Sequence, residues 1–458
     1  MDKLSYKTIP GPETGMKSIP ESIPGSIVEN GLRRLGLYIH IPFCVKKCGY
    51  CDFLSAPADE ETVCRYFDAL QSEVKSYAGR TKEYYVPTIF IGGGTPSAVD
   101  ASHIKSLLNI IRETFQVGDG NEVMDVKYIH QHAGHHADGK WMPEITIEIN
   151  PGTVDKEKLL AYQEAGINRL SFGLQTVKDE ELKLLGRIHT YRQFEDNYYL
   201  AREMGFQNIN IDLISALPGQ TLQSWEDTMR KTAGLNPEHI SAYSLIIEEG
   251  TPFYGLYGQG GNLASELPDE DTDRMIYQRT KEFLEESGYH RYEISNYAKE
   301  GFRCEHNISY WTGIEYLGLG LGSASLTSNQ RFHNTAALEE YIESCKEYCI
   351  YDKNARIGHD AIKTPQILID SLGIRREIDP LTVQNQMEEF MFLGLRMTDG
   401  VSRKEFRYRF HADLDVVYGG IIDRLAKEGL IYLSGDKIAL TEYGTDISNR
   451  VLADFLFE

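Results

Sequence analysis

An α/β fold is predicted: six βα units followed by a C-terminal helical, winged-helix-like domain. Short apolar runs of strand-forming character recur at 35–41, 88–91, 144–149, 169–175, 208–214 and 239–247. Amphipathic stretches at 60–77, 102–115, 156–164, 191–204 and 224–234 lie between them, long enough to be crossover helices. Near the C-terminus, GIIDRLAKEGLIYLSGDKIALTEYG at 420–444 reads as helix, Gly429, strand, a Gly435-Asp436 turn and a second strand. Six units are too few to close an eight-stranded barrel, so the core is either an open, partial barrel or a doubly wound sheet.

Residues 1–30 carry Pro10, Pro12, Pro20 and Pro24 among scattered Gly and Ser and read as a flexible N-terminal arm. The core occupies 31–255, with Gly166, Gly205 and Gly234 placed where helix C-caps are expected. A polar insertion at 117–143 holds His130, His132, His135 and His136. Without a carboxylate or Cys at ligand spacing, it reads as a surface loop. A connecting and capping region follows at 256–375, with a helix near 270–287, the Gly-rich LGLGLGSAS at 317–325 and the run H-N-I-S-Y-W at 306–311. The C-terminal domain spans 376–458. Residues 375–458 contain 11 Lys/Arg and 15 Asp/Glu, a net of −4, which favours a structural or docking role over DNA binding.

Across 458 residues, 47 basic and 68 acidic side chains leave a formal charge of −21, and 41% of residues are hydrophobic. That composition excludes a disordered chain. The charge argues against nonspecific attachment to nucleic acid or to an anionic membrane. No run of 18 apolar residues and no N-terminal apolar segment occur, so neither stable membrane insertion nor secretion is expected, and the expected location is cytoplasmic. Seven cysteines make an odd and poor disulfide framework.

Three of the seven sit in Y-I-H-I-P-F-C-V-K-K-C-G-Y-C-D-F: Cys44, Cys48 and Cys51, spaced C-x3-C-x2-C, directly after the first strand. Thiolates this close on a strand-end loop can wrap one soft metal or cluster. A structural zinc site would ordinarily want a fourth ligand from a second pair. Cys64, inside an amphipathic helix, reads instead as a buried small hydrophobe. Three thiolates without a fourth suit a [4Fe–4S] cluster whose remaining iron is open to an exchangeable ligand. Gly92-Gly93-Gly94-Thr95 follows the second strand, where glycines permit close backbone approach and exposed N–H groups can bind a ligand. Glu148 alternates with Ile145, Ile147 and Ile149, so it faces the other side of its strand, where a carboxylate suits an amine or ribose hydroxyl.

The cysteine motif, with aromatic Tyr50 before its last Cys, resembles the radical S-adenosylmethionine superfamily. IGGGTPS (91–97), EITIEINPG (144–152), RLSFGLQT (169–176), LLGRIHT (184–190), NIDLISALPGQT (210–221) and ISAYSLIIEEGTPF (240–253) are similar to its oxygen-independent coproporphyrinogen oxidase group, and most to the haem chaperone branch. The resemblance covers about residues 35–457 and implies a partial (β/α)6 TIM-like barrel. It implies that Cys44, Cys48 and Cys51 hold the cluster. It also implies that Tyr38, Tyr50, Gly93, Gly94, Thr95, Glu148, Gln175, Arg187, Asp212 and Ile246 contact S-adenosylmethionine. The oxidases carry a further Cys where this chain has Phe53, which points to binding and transferring haem rather than decarboxylating coproporphyrinogen. His306, in the branch's H-N-x-x-Y-W pattern, offers an axial imidazole beside flat Tyr310 and Trp311, and Cys304 could compete as a thiolate. Expected partners are haem as cargo and a haem-accepting protein, a respiratory one among the candidates. The alternative is an oxygen-independent coproporphyrinogen III oxidase. Neither the acceptor, nor cleavage of S-adenosylmethionine, nor a monomeric or dimeric state follows from the sequence.

Overall fold

The structure, a computed structural model, describes residues 32–118, 142–351 and 365–457. The N-terminal arm, the four histidines of the insertion and the side chain of Cys349 lie outside the described residues. The chain divides between Pro380 and Leu381 into two units. Among the described residues, no helix is long and apolar enough to cross a membrane.

In the larger unit the strands are β1 (Arg33–Ile41), β2 (Tyr84–Tyr85), β3 (Thr88–Gly93), β4 (Glu144–Ile149), β5 (Arg169–Gln175), β6 (Ile209–Ser215) and β7 (His239–Ser244). There follow β8 (His290–Arg291), β9 (Asn296–Ala298), β10 (Glu315–Leu319), β11 (Ala324–Thr327), β12 (Gln330–Asn334) and β13 (Arg375–Pro380). They pair in the order β13-β12-β11-β10-β1-β3-β4-β5-β6-β7-β9-β8, with β2 beside β1. From β10 through β7 every pairing is parallel. Strands β1 and β3–β7 follow one another without the reversal of order that marks a doubly wound sheet. The core is therefore the open, TIM-like partial barrel.

Crossover helices α1 (Glu60–Ser76), α2 (Ala101–Thr114), α3 (Lys156–Glu164), α4 (Asp179–Leu184), α5 (Tyr191–Glu203) and α6 (Leu222–Gly234) join these strands. One alternating set of strand residues, including Leu37, Ile39, Ile89, Ile91, Ile147, Phe172 and Ile211, is fully buried in the apolar core with Phe67, Leu107 and Trp225 of the helices. Burying such side chains contributes about 1.5–3 kcal/mol each. The other set, including Tyr38, Phe90, Glu148, Ser171 and Asp212, faces the barrel interior.

Two local expectations change. Gly166 and Gly205 do sit past helix ends with positive φ, but Gly234 is the last residue of α6, and Asn236 takes the left-handed position (φ 60°). The Gly-rich stretch at 317–325 supplies β10, a further parallel strand beside β1. A Cβ on Gly318 would lie 2.3 Å from the carbonyl oxygen of Ala324, so glycine is what lets this hairpin close. The region also contributes α7 (Pro252–Tyr257), α8 (Glu270–Glu286), α9 (Glu305–Trp311) and α10 (Leu338–Tyr351).

The C-terminal unit has α11 (Val383–Gly394), α12 (Arg403–Phe410) and α13 (Leu414–Lys427), then β15 (Ile431–Ser434) and β16 (Lys437–Leu440). A short strand that the sequence did not signal, β14 (Val401–Ser402), makes the sheet order β14-β16-β15. Met387, Met391, Phe406, Phe410, Tyr418 and Leu425 form a separate apolar core.

Candidate functional site

The loop after β1 carries Cys44, Cys48 and Cys51, all half-buried and unpaired by disulfides. Its backbone is tied at several points. Cys44 donates to Ala56 O (3.2 Å), Gly49 donates to Leu185 O (3.1 Å), and Phe253 donates to Gly49 O (3.0 Å). Beneath it Leu185, Ile214, Leu217, Phe253 and Tyr257 form a small apolar cluster against which Tyr50 packs. Burial pushes the Cys44 and Cys51 thiols up, and each also feels the charge of Cys48. Among the described residues, only one group of three potential ligands brings its atoms within 4.8 Å of one another, and it is not this one. Ligand atoms of one tetrahedral ion stand roughly 3.3–3.8 Å apart. The three thiol sulfurs therefore do not all lie within 4.8 Å of one another. A cluster that offers a separate iron to each thiolate fits them better.

Arg187 bridges this loop to the barrel. Its Nη2 donates to Asn150 Oδ1 (2.6 Å) and Gly173 O (2.7 Å), while Nη1 lies 3.9 Å from Cys48 Sγ. It is no solvated helix-end cation. The same Asn150 donates to Thr95 Oγ1 (2.7 Å), so the ends of three strands are joined through one guanidinium and one amide.

The glycine run behaves differently from its sequence reading. The N–H groups of Gly94 and Thr95 donate to Ile41 O (2.8 Å) and Phe43 O (2.6 Å), and that of Gly93 donates to Glu148 Oε2 (3.1 Å). These donors are engaged within the protein rather than held out for a ligand. What requires glycine is proximity: a Cβ on Gly93, at φ 114°, would lie 2.7 Å from the His40 ring, and one on Gly94 would lie 2.5 Å from Phe43 O.

Glu148 and Asp212 share the barrel interior. Asp212 accepts from Ser171 Oγ (2.9 Å) and Asn210 Nδ2 (2.8 Å). Burial, reinforced by the charge of Asp212, pushes Glu148 up to about 8, and burial raises Asp212 too. Two mutually repelling carboxylates suit a cationic or hydroxyl-bearing ligand. Tyr38 bonds His40 Nδ1 (3.0 Å), and burial raises its phenol strongly. Gln175 closes a bulge in β5 with φ 72°, a strained conformation for a residue with a side chain. Ile246, beyond the end of β7, is 68% exposed.

His306 stands apart from that group, on α9. It is 1% exposed. Its Nδ1 meets Thr88 Oγ1 at 2.9 Å, its Nε2 meets the Tyr310 hydroxyl at 3.0 Å, and its ring stacks on Phe90 (5.3 Å between centroids). Burial and the charge of Arg169 hold it neutral, its pKa pushed down to about 3. Cys304 is equally buried, 3.5 Å from Glu144 Oε1, and burial raises its thiol strongly. The carboxylate of Glu144 also accepts from the backbone N–H groups of Glu305 and His306, both at 3.1 Å. For either residue to reach iron, α9 has to loosen from β3 and β4.

Sequence reasoning missed Asn150, Ser171, Asn210, Thr88 and the fully buried Arg169. Four of them sit at alternate strand positions and Asn150 continues that register just past β4, so their signal was the same period of two that pointed to Glu148. Cys64 was expected to be buried and is exposed, because it lies in the row of α1 that also holds the exposed Glu60 and Asp68, at the rim of the buried stripe rather than in it.

Residues 38–232 match the Radical SAM superfamily, and residues 381–447 match the HemN C-terminal domain. The chain is 35% identical over 422 residues to the heme chaperone HemW of Bacillus subtilis, covering 92% of this chain and 99% of that one. It is 38% identical over 295 residues to the heme chaperone HemW of Escherichia coli, covering 63% and 69%. The solved coproporphyrinogen III oxidase (HemN) of Escherichia coli shares the fold, with a TM-score of 0.72 at 23% identity over 94% of this chain and 91% of that one. The chain belongs to the radical S-adenosylmethionine superfamily, in the coproporphyrinogen oxidase-like group and its HemW branch.

Proposed function

We propose that this protein binds a [4Fe–4S] cluster at Cys44, Cys48 and Cys51, binds S-adenosylmethionine beside it, and passes haem to an acceptor protein. The observation that carries the reading is the three-thiol loop tied by Arg187 to the strand ends, above a paired Glu148 and Asp212. When bound, the cluster would supply an open iron for the methionyl group and an electron to the cofactor. The chain's own residues do the holding. The three cysteines ligate, and Arg187 keeps positive charge at Cys48. Tyr50 and the small apolar cluster under it fix the loop. Glu148 and Asp212 receive amine or hydroxyl groups. Tyr38, Gly93, Gly94, Thr95, Gln175 and Ile246 shape the remaining walls. Haem reaches His306, or Cys304 in competition with it, only when α9 opens.

Anaerobic reconstitution tests the first part: Cys44→Ala, Cys48→Ala and Cys51→Ala should each lose the cluster absorption, and an unchanged iron content would sink the assignment. Haem titration with and without S-adenosylmethionine tests the coupling. Two readings of His306 separate cleanly. As a haem ligand, His306→Ala shifts the Soret band and weakens haem binding; as a pin for α9 alone, it lowers Tm and leaves the Soret band in place. Incubation with coproporphyrinogen and a reductant tests the oxidase alternative: a vinyl product would sink the chaperone reading.

A further inference from the structure

The group whose three ligand atoms converge within 4.8 Å is Glu60, Cys64 and His103, away from the loop of Cys44, Cys48 and Cys51. Glu60 and Cys64 lie one turn apart on α1, so their side chains share a face. His103 reaches them from α2. The Sγ of Cys64 is 3.8 Å from Glu60 Oε1, and Nε2 of His103 is 3.7 Å from the same oxygen. Around a tetrahedral zinc ion, with Zn–S near 2.3 Å and Zn–N or Zn–O near 2.0–2.1 Å, such pairs stand roughly 3.3–3.6 Å apart. These two pairs need to contract by only a few tenths of an ångström, and the third pair, Cys64 with His103, lies within 4.8 Å.

The imidazole is already oriented. Its ring stacks on Phe67 with centroids 4.5 Å apart and planes at 12°, and Phe67 is fully buried. This ring cannot swing freely without losing that contact, so two ligands sit on one helix and the third on a braced partner. A thiolate, an imidazole and a carboxylate together select a borderline-soft divalent ion over the oxygen-seeking Mg2+ or Ca2+. Exposure of Glu60 and Cys64 leaves the fourth position to water.

We infer that Glu60, Cys64 and His103 form a second, surface metal site for Zn2+, clipping α1 to α2. The clip matters for position: α1 follows the loop that carries Cys44, Cys48 and Cys51, and the bridge between Phe43 and Ala56 ties that loop's two ends. A metal on α1 would restrain one of the loop's exits.

The test uses the full chain carrying Cys44→Ala, Cys48→Ala and Cys51→Ala, so that metal bound there cannot be counted. Co2+ is the optical probe and Zn2+ the competitor. The thiolate-to-cobalt charge-transfer band reports only a Cys ligand, which separates this site from the histidines of the 117–143 insertion. The expected result is one equivalent of Co2+ with that band, bleached by Zn2+, and Zn2+ raising Tm. Cys64→Ser should abolish the band, and His103→Ala should weaken affinity at least tenfold. Absence of the band, its survival in Cys64→Ser, or an affinity indifferent to His103→Ala would each overturn the site. Cys64→Ser alters an exposed side chain, and an unchanged circular dichroism spectrum confirms its fold.

Discussion

At the scale of single residues, the interior carboxylates make the sharpest expectation. Glu148 is raised from the ordinary carboxylate range to about 8, so the folded state holds its proton more tightly than the unfolded state. Its contribution is then present below the unfolded value of about 4.5 and is lost as pH rises through about 8. Urea midpoints of the ligand-free protein should fall across that window, and Glu148→Gln should flatten the fall. Gly93→Ala is expected to cost about 1–3 kcal/mol, from its positive φ and from the His40 ring in the way, again read from urea unfolding. Residues of this kind were only half legible beforehand. The spacing of Cys44, Cys48 and Cys51 is a chemical signature that needs no fold to be read. The reason Gly93 and Gly94 must be glycine was not legible, since which backbone their missing side chains admit depends on strands far apart in sequence. Cys64 was misread because helical periodicity alone did not say which flank of α1 meets water.

Among the elements, Arg187 and α9 carry the load that sequence could not show. Arg187→Lys keeps the charge but loses the planar fork that joins Asn150 and Gly173, so the cysteine loop should loosen. Iron release from reconstituted protein to a chelator should be faster than in the parent, with secondary structure unchanged. Helix α9 is held through Thr88, Phe90 and Glu144. Thr88→Val removes one buried hydrogen bond and should destabilise by about 1 kcal/mol. If haem ligation needs α9 to open, the same change should speed haem uptake in stopped-flow. The HNISYW run advertised a ligand, yet the fold occupies both ring nitrogens of His306. Strands β4–β6 were legible because apolar residues alternate cleanly in them. Strand β10 was hidden because Gly318 in it and Gly320 just past it serve a tight hairpin and interrupt that alternation.

For the whole molecule, the division after Pro380 separates an apolar core of its own in the C-terminal unit. A fragment of residues 376–458 should therefore unfold cooperatively in urea, and a broad, sloping transition would show that its core does not stand alone. Residues 375–458, with their 11 basic and 15 acidic side chains, should show no mobility shift with duplex DNA even at low salt. The TIM-like arrangement was legible as a count of units. The choice of an open barrel over a doubly wound sheet came from strand order, which no local pattern encodes.

Strand order also decides where the chain is slowest to exchange its amide hydrogens. β1 lies inside the parallel run, bonded to β10 on one side and β3 on the other, and the cysteine loop leaves from its end. Amides of β1 should therefore exchange only through global unfolding, while those of two-residue β8 at the sheet's end exchange through local fraying. The loop hangs from the most protected part of the barrel, so filling or emptying it should leave the slow-exchanging core intact.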